Sequence, residues 1–248
     1  MHLDVVDLLA FYRTPLGVVT RQLLRKRLGE LWPDVKGLRI VGLGFATPFL
    51  RTFVPEPDRL LALMPQGQGV IRWPMDGKPS TALIEETSIP LPDASIDRIL
   101  MVHSLETVEG PSELLREVWR VLAPQGEVLI VVPNRRSFWA RYEGTPFGFG
   151  RPFSRSQLST LLRDCGFVPE EWAGALHMPP NRGGMMLRMA RTWEKFGIRW
   201  WSRFGGLVLV RATKQIYALP RPGRAVRVRS EPVIAVPGMP QPVSHATK

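Results

Sequence analysis

Cys165 is the only cysteine among 248 residues, which excludes an intrachain disulfide and a cysteine-rich metal centre. A reducing compartment is the natural setting for such a chain. No uninterrupted apolar run approaches the roughly 20 residues that a membrane-spanning helix needs. The longest, around Val128–Val132, is the size of a strand. Asp4 and Asp7 stand where a secretory signal would carry Lys or Arg. The expectation is a cytoplasmic protein, soluble or peripheral at the inner face of the membrane, with no bound metal.

Acidic residues are scarce in the second half. Residues 135–248 hold 19 Lys+Arg against 6 Asp+Glu, whereas residues 1–134 hold 14 against 16. The net charge of +11 therefore lies entirely in the second half. A basic surface attracts the phosphates of nucleic acid or of lipid headgroups, or simply keeps the chain in solution. No zinc motif or RNA-recognition signature is present, and basic charge alone is not specific. Nucleic acid is thus the weaker of the two partners. Arg221, Arg224, Arg227 and Arg229 lie in a Pro-rich tail, residues 219–248, whose composition predicts disorder.

What remains is a chain that is 44% hydrophobic, enough for one α/β domain. Residues 4–31 read as helix, interrupted at Pro15 and Gly17. Apolar runs at Leu38–Leu43, Arg59–Met64, Thr81–Glu86, Ile96–His103, Glu127–Val132, Phe167–Ala175 and Leu207–Ala218 are strand candidates. Ala46–Val54 and Ser112–Leu122 read as helices, the second with Leu114, Leu115, Val118 and Leu122 as its buried stripe. Ser154 is the expected cap of a helix that ends at Cys165 and Gly166. Alternation of strand and helix through residue 132 implies βαβ units and a parallel sheet. Such a sheet binds ligands at the carboxyl ends of its strands.

Residues 90–133 read PLPDASIDRILMVHSLETVEGPSELLREVWRVLAPQGEVLIVVP. This resembles the second half of the class I methyltransferase core, type 11. The turn Pro90–Asp97, Leu105-Glu106 and the helix and turn Glu117–Gly126 carry the likeness. The resemblance implies a Rossmann-like, doubly wound α/β fold, with a mostly parallel seven-stranded sheet, helices on both faces and an antiparallel edge strand. It implies S-adenosylmethionine as cofactor and a small-molecule or lipid-like methyl acceptor. The domain boundaries expected are 1–37 for N-terminal helices and 38–218 for the methyltransferase-like domain, with an amphipathic helical insertion at 183–203.

Carried onto this sequence, the cofactor-binding positions are Gly42, Gly44, Ala46, Thr47, Met64, Glu85, Glu86 and His103. The glycine loop departs from the family: Ala46 and Pro48 replace glycines, and Gly42 stands where the family has an acid. Met64 ends the second strand where the family places an acid on the ribose hydroxyls, and Gln66 is the nearest substitute. Those departures motivate a second reading, a non-catalytic relative that acts as a partner- or membrane-binding module. His103 is the candidate general base, and the alternative is a hydrogen-bonded strand-end residue without proton chemistry. Arg135 (with its neighbours Asn134 and Arg136), Tyr142, Phe147 and Arg151 are candidates for the acceptor side. Met185, Met189, Trp193, Phe196 and Trp200 form one stripe of a helix, and Arg188, Arg191, Lys195 and Arg199 another. That pattern suits either an anionic membrane surface or an aromatic stripe packed on the sheet with solvated arginines.

Overall fold

A computed structural model describes residues 3–180, 183–201 and 204–216. Its seven strands form one sheet: β1 Arg39–Gly44, β2 Arg59–Pro65, β3 Thr81–Ile84, β4 Ile96–Val102, β5 Leu122–Pro133, β6 Phe167–Ala175 and β7 Leu207–Lys214. Their order is β3-β2-β1-β4-β5-β7-β6. The first five are parallel, and β7 runs antiparallel to both β5 and β6. The chain leaves β1 outward through β2 and β3, then returns to place β4 on the other side of β1. The strand order therefore reverses between β1 and β4, where ligands of such sheets sit.

Two helices precede the sheet. α1, Val5–Arg13, begins where the Asp4 side chain accepts a hydrogen bond from the Val6 amide at 2.8 Å. It stops at Thr14, whose hydroxyl caps α2, Pro15–Leu31, by accepting from Gly17 N at 3.0 Å. Pro15 opens α2 at a position that needs no amide donor. α3, Thr47–Leu50, is a single turn after β1. No helix separates β2 from β3 among the described residues. α4, Pro111–Val121, buries Leu114, Leu115, Val118 and Val121. α5, Arg155–Asp164, carries a reciprocal cap between Ser154 and Gln157.

The core lies in two layers because side chains alternate across the sheet. Along β5, Leu129 and Val131 join Leu24, Phe45, Phe49 and Met64 beneath α1, α2 and α3. Val128, Ile130 and Val132 join Leu114, Val118, Leu158 and Leu162 beneath α4 and α5.

α6, Gly184–Trp200, lies against α2 and β6. Its inner face is Ala190, Glu194 and Gly197. The Glu194 carboxylate accepts from the backbone amides of Leu176 (3.1 Å) and His177 (2.8 Å). The aromatic stripe is not packed on the sheet: Met185, Phe196 and Trp200 are 78%, 57% and 69% exposed. Small residues and a buried carboxylate took the docking face instead, which periodicity alone does not distinguish. The tail expected at 219–248, together with its arginines, lies outside the described residues.

Candidate active site

The carboxyl ends of β1, β2 and β4 converge at the reversal in strand order. β1 ends at Gly44 in left-handed backbone, φ +79°. A Cβ there would strike the Val102 carbonyl and Ser104, so only glycine lets the ends of β1 and β4 meet. Gly42 has a different task. A Cβ on it would lie 2.7 Å from the Ala46 methyl and 2.8 Å from Leu50. The methyl that Ala46 adds to the loop occupies space that Gly42 leaves open. Pro48 follows at the start of α3 without needing an amide donor, and its carbonyl accepts from the Arg25 guanidinium.

His103 follows β4 with φ +51°, uncommon for a residue with a side chain. Three groups hold it. Gln68 Nε2 donates to its carbonyl at 2.9 Å. Tyr12 Oη lies 2.8 Å from Nε2, and Glu106 Oε1 lies 3.4 Å from Nδ1. All four residues are buried. Burial, with the nearby Glu106 carboxylate, pushes the Tyr12 hydroxyl well above its ordinary pKa, so it stays protonated and donates. A His103 carrying its proton on Nδ1 then satisfies both neighbours.

Aromatic rings surround this chain of polar groups. Tyr12 stacks on Phe45 at 5.7 Å between centroids and meets Phe49 edge-on at 5.6 Å. Phe147 lies 5.0 Å from the His103 ring and 6.1 Å from Phe11. Phe45, Phe49 and Phe147 are buried, and so is Met64, which belongs to the core beneath α1 rather than to a strand-end rim.

The remaining candidates spread outward. Gln66 is exposed, and Gln68 is the polar side chain that turns inward after β2. Glu85 is exposed beside the end of β3, and Glu86 is half-buried. Arg135, Tyr142 and Arg151 are exposed; the Arg151 amide donates to the Glu106 carbonyl at 2.7 Å and so ties the 142–153 loop to the strand ends. The structure thus brings Gly44, Thr47, His103 and Phe147 together and leaves Glu85, Arg135, Tyr142 and Arg151 at the periphery. Tyr12, Gln68 and Ser104 were not among the candidates. Nothing local in the sequence marks Tyr12 as the partner of a residue 91 positions away.

An adenosyl group is the fold's customary ligand at this place. Here Tyr12 of α1 lies over that place, stacked on Phe45 and within hydrogen-bond distance of His103. One feature does suit a polar ligand. Thr47 Oγ1, Gln68 Oε1 and Ser104 Oγ are buried and have no hydrogen-bond partner. They follow β1, β2 and β4: Thr47 at the start of α3, Gln68 and Ser104 in the segments just after their strands. No cluster of metal-ligating side chains occurs among the described residues.

Sheet order, the antiparallel β7 and the position of the crevice define the class I methyltransferase fold. Residues 75–130 match the family model described as Methyltransferase domain; beyond that segment the likeness is one of fold. A protein of Mycolicibacterium smegmatis described as a probable S-adenosylmethionine-dependent methyltransferase is 33% identical over 91 residues, 36% of this chain and 35% of its own length. A Mycobacterium tuberculosis protein of the same description is 33% identical over 96 residues, 38% and 35% of the two chains. The chain thus aligns with about a third of each relative's length.

Among solved structures, a Thermotoga maritima S-adenosylmethionine-dependent methyltransferase superposes with a TM-score of 0.57 at 20% identity, covering 85% of this chain and 96% of that one. A chain of the complex between the Haloferax volcanii Trm112 methyltransferase activator and a methyltransferase gives 0.61 at 17% identity, covering 87% and 100%. The [4+2]-cyclase SpnF gives 0.54 at 18% identity, covering 78% and 80%. Likeness at these identities carries the fold alone.

Proposed function

We propose that this protein transfers a methyl group from S-adenosylmethionine to a small or lipid-like acceptor, and that its donor crevice is closed by α1 and opens when α1 moves. The observation that carries the reading is the trio of unpartnered polar atoms on Thr47, Gln68 and Ser104. Buried polar groups are nearly always hydrogen-bonded, and leaving one unsatisfied costs about 1–3 kcal/mol. Three such groups just beyond the carboxyl ends of β1, β2 and β4 suit a polar guest that replaces the α1 side chains. The methyltransferase segment at residues 75–130 supports the same chemistry.

α1 can serve as a gate in physical terms. Two hydrogen bonds tie it to the crevice residues, from Tyr12 to His103 and from the Val5 amide to the Gln68 carbonyl, each at 2.8 Å. On the acceptor side, Phe147 supplies an apolar wall, while Arg135, Tyr142 and Arg151 stand outside it. His103 and Glu106, paired in the crevice wall, are the groups placed to hold a proton once α1 has withdrawn.

Calorimetry with S-adenosylmethionine and its demethylated product tests the reading on the wild type and on Tyr12→Phe. Tyr12→Phe keeps the ring and removes the latch. Saturable binding is expected in both, tighter in the variant by up to about tenfold, the worth of one hydrogen bond. Equal affinities would remove α1 as the gate. No heat in either protein at millimolar ligand would remove the donor itself and leave a scaffold that has lost its cofactor.

A further inference from the structure

The outer surface of α6 is unusual for a helix attached to a folded domain. At about 100° per residue, Met185, Met189, Trp193, Phe196 and Trp200 fall within about 80° of one another. Arg188, Arg191, Lys195 and Arg199 fall within a second sector of about the same width. Thr192 lies between the two sectors, diametrically opposite the face that Ala190, Glu194 and Gly197 present to the body. The helix therefore shows solvent an apolar aromatic flank and a basic flank, divided along the ridge farthest from the protein.

Each flank opens into a groove. Met189, Thr192, Trp193, Phe196, Trp200 and Trp201 line an apolar one of about 620 Å³. The basic flank meets α2 in a second groove of about 390 Å³, where Lys26 and Arg27 face Arg191 and Lys195. Two carboxylates face it as well. Glu30 is taken up by Arg27 at 2.6 Å, and Glu194 is turned inward onto the Leu176 and His177 amides. Glu194 is the only acid on α6. No helix of the described residues is long and apolar enough to cross a membrane.

We infer that α6 docks this protein on the surface of an anionic lipid bilayer, with the groove between α2 and α6 receiving headgroup phosphates and the Trp193–Phe196–Trp200 flank entering the headgroup–acyl boundary. Charge complementarity selects this occupant. A purely apolar patch would suit a second protein, but four cations lie directly beside the aromatic strip, and none of the strip's own residues carries negative charge. Tryptophan prefers the membrane interface because its ring is apolar and its N–H is polar. Aromatic insertion with neighbouring Lys and Arg is how an interfacial helix binds without spanning. Membrane docking through α6 does not depend on methyl transfer.

Vesicles of phosphatidylcholine alone, and of phosphatidylcholine with phosphatidylglycerol, test it by flotation and by tryptophan emission of the full-length protein. The wild type is expected to float with anionic vesicles, with a blue-shifted emission, and to stay behind with neutral ones. Arg191→Gln with Lys195→Gln should weaken binding roughly 30-fold, since each cation near an anionic surface contributes about fivefold. Trp193→Ser, Phe196→Ser and Trp200→Ser together should abolish the blue shift; all three sites are exposed, so the fold is retained. Lys78→Gln with Arg163→Gln removes the same charge at exposed sites elsewhere and should leave binding unchanged. Absence of binding to anionic vesicles, equal binding to neutral ones, an equal loss in the Lys78/Arg163 control, or a serine variant that binds like wild type would each overturn the inference. So would a stable dimer in light scattering that the serine variant converts to monomer, because the strip would then belong to a second copy.

Discussion

Gly42 and Ala46 show how one altered residue constrains another. The glycine loop of this chain carries a methyl at Ala46 that would collide with any side chain at position 42. Gly42→Ala should therefore destabilise the protein by about 1–3 kcal/mol, the usual cost of forcing a methyl into a packed core. Adding Ala46→Gly should recover part of that loss; urea denaturation of the two single variants and the double variant reads the coupling. Equal losses with and without Ala46→Gly would show that Leu50, 2.8 Å from the same point, sets the limit instead.

Asp97 is a second residue with a local prediction. Its carboxylate accepts from the Arg39 amide and from Arg39 Nε, both at 2.9 Å, and from Nη2 at 3.0 Å. Those bonds hold its pKa below the ordinary value. A depressed carboxylate pKa contributes stability above the unfolded value, about 3.9, and loses it as pH falls through the folded one. Both partners are partly exposed, so solvent screening keeps the gain small. Asp97→Asn should lower the melting temperature at pH 7, and the difference from wild type should shrink below about pH 4.

At the scale of elements, α6 is held by fit as much as by bonding. A Cβ on Gly197 would run into the His177 side chain, so Gly197→Ala should lift the helix from α2 and β6. The expected result is faster amide exchange across Gly184–Trp200 with the central strands unchanged, because a peripheral helix opens below the global stability. Unchanged exchange in α6 would mean that the Glu194 bonds alone hold it. Elements of this kind mark the boundary of what the amino-acid order reveals. The strands, α4 and the Ser154 cap were readable because period, propensity and capping act within a few residues. The direction of the α6 stripe was not, because two faces of that helix are hydrophobic or small, and which one docks depends on β6 and α2. Likewise His103 was visible as a strand-end residue, whereas its partners Tyr12 and Gln68 come from elements brought near only by the sheet order.

For the whole molecule, the fold and the covered crevice meet in α1. If the donor site exists only when α1 is withdrawn, ligand binding and α1 release are one linked equilibrium. An open population of about 1% would raise the apparent dissociation constant about a hundredfold over that of the open form. It would also give binding an unusual signature. Most ligands protect the segments around their site, but here S-adenosylhomocysteine should increase amide exchange in Val5–Arg13 while it slows exchange in the loops after β1 and β4. Tyr12→Phe should shift free α1 toward the same fast exchange without ligand. The two effects oppose each other in sign within one experiment, so general stabilisation or general loosening cannot imitate them. Protection of α1 by the ligand would show that the helix stays in place over a bound donor, and the gate would have to be sought in the 142–153 loop that the Glu106 carbonyl anchors.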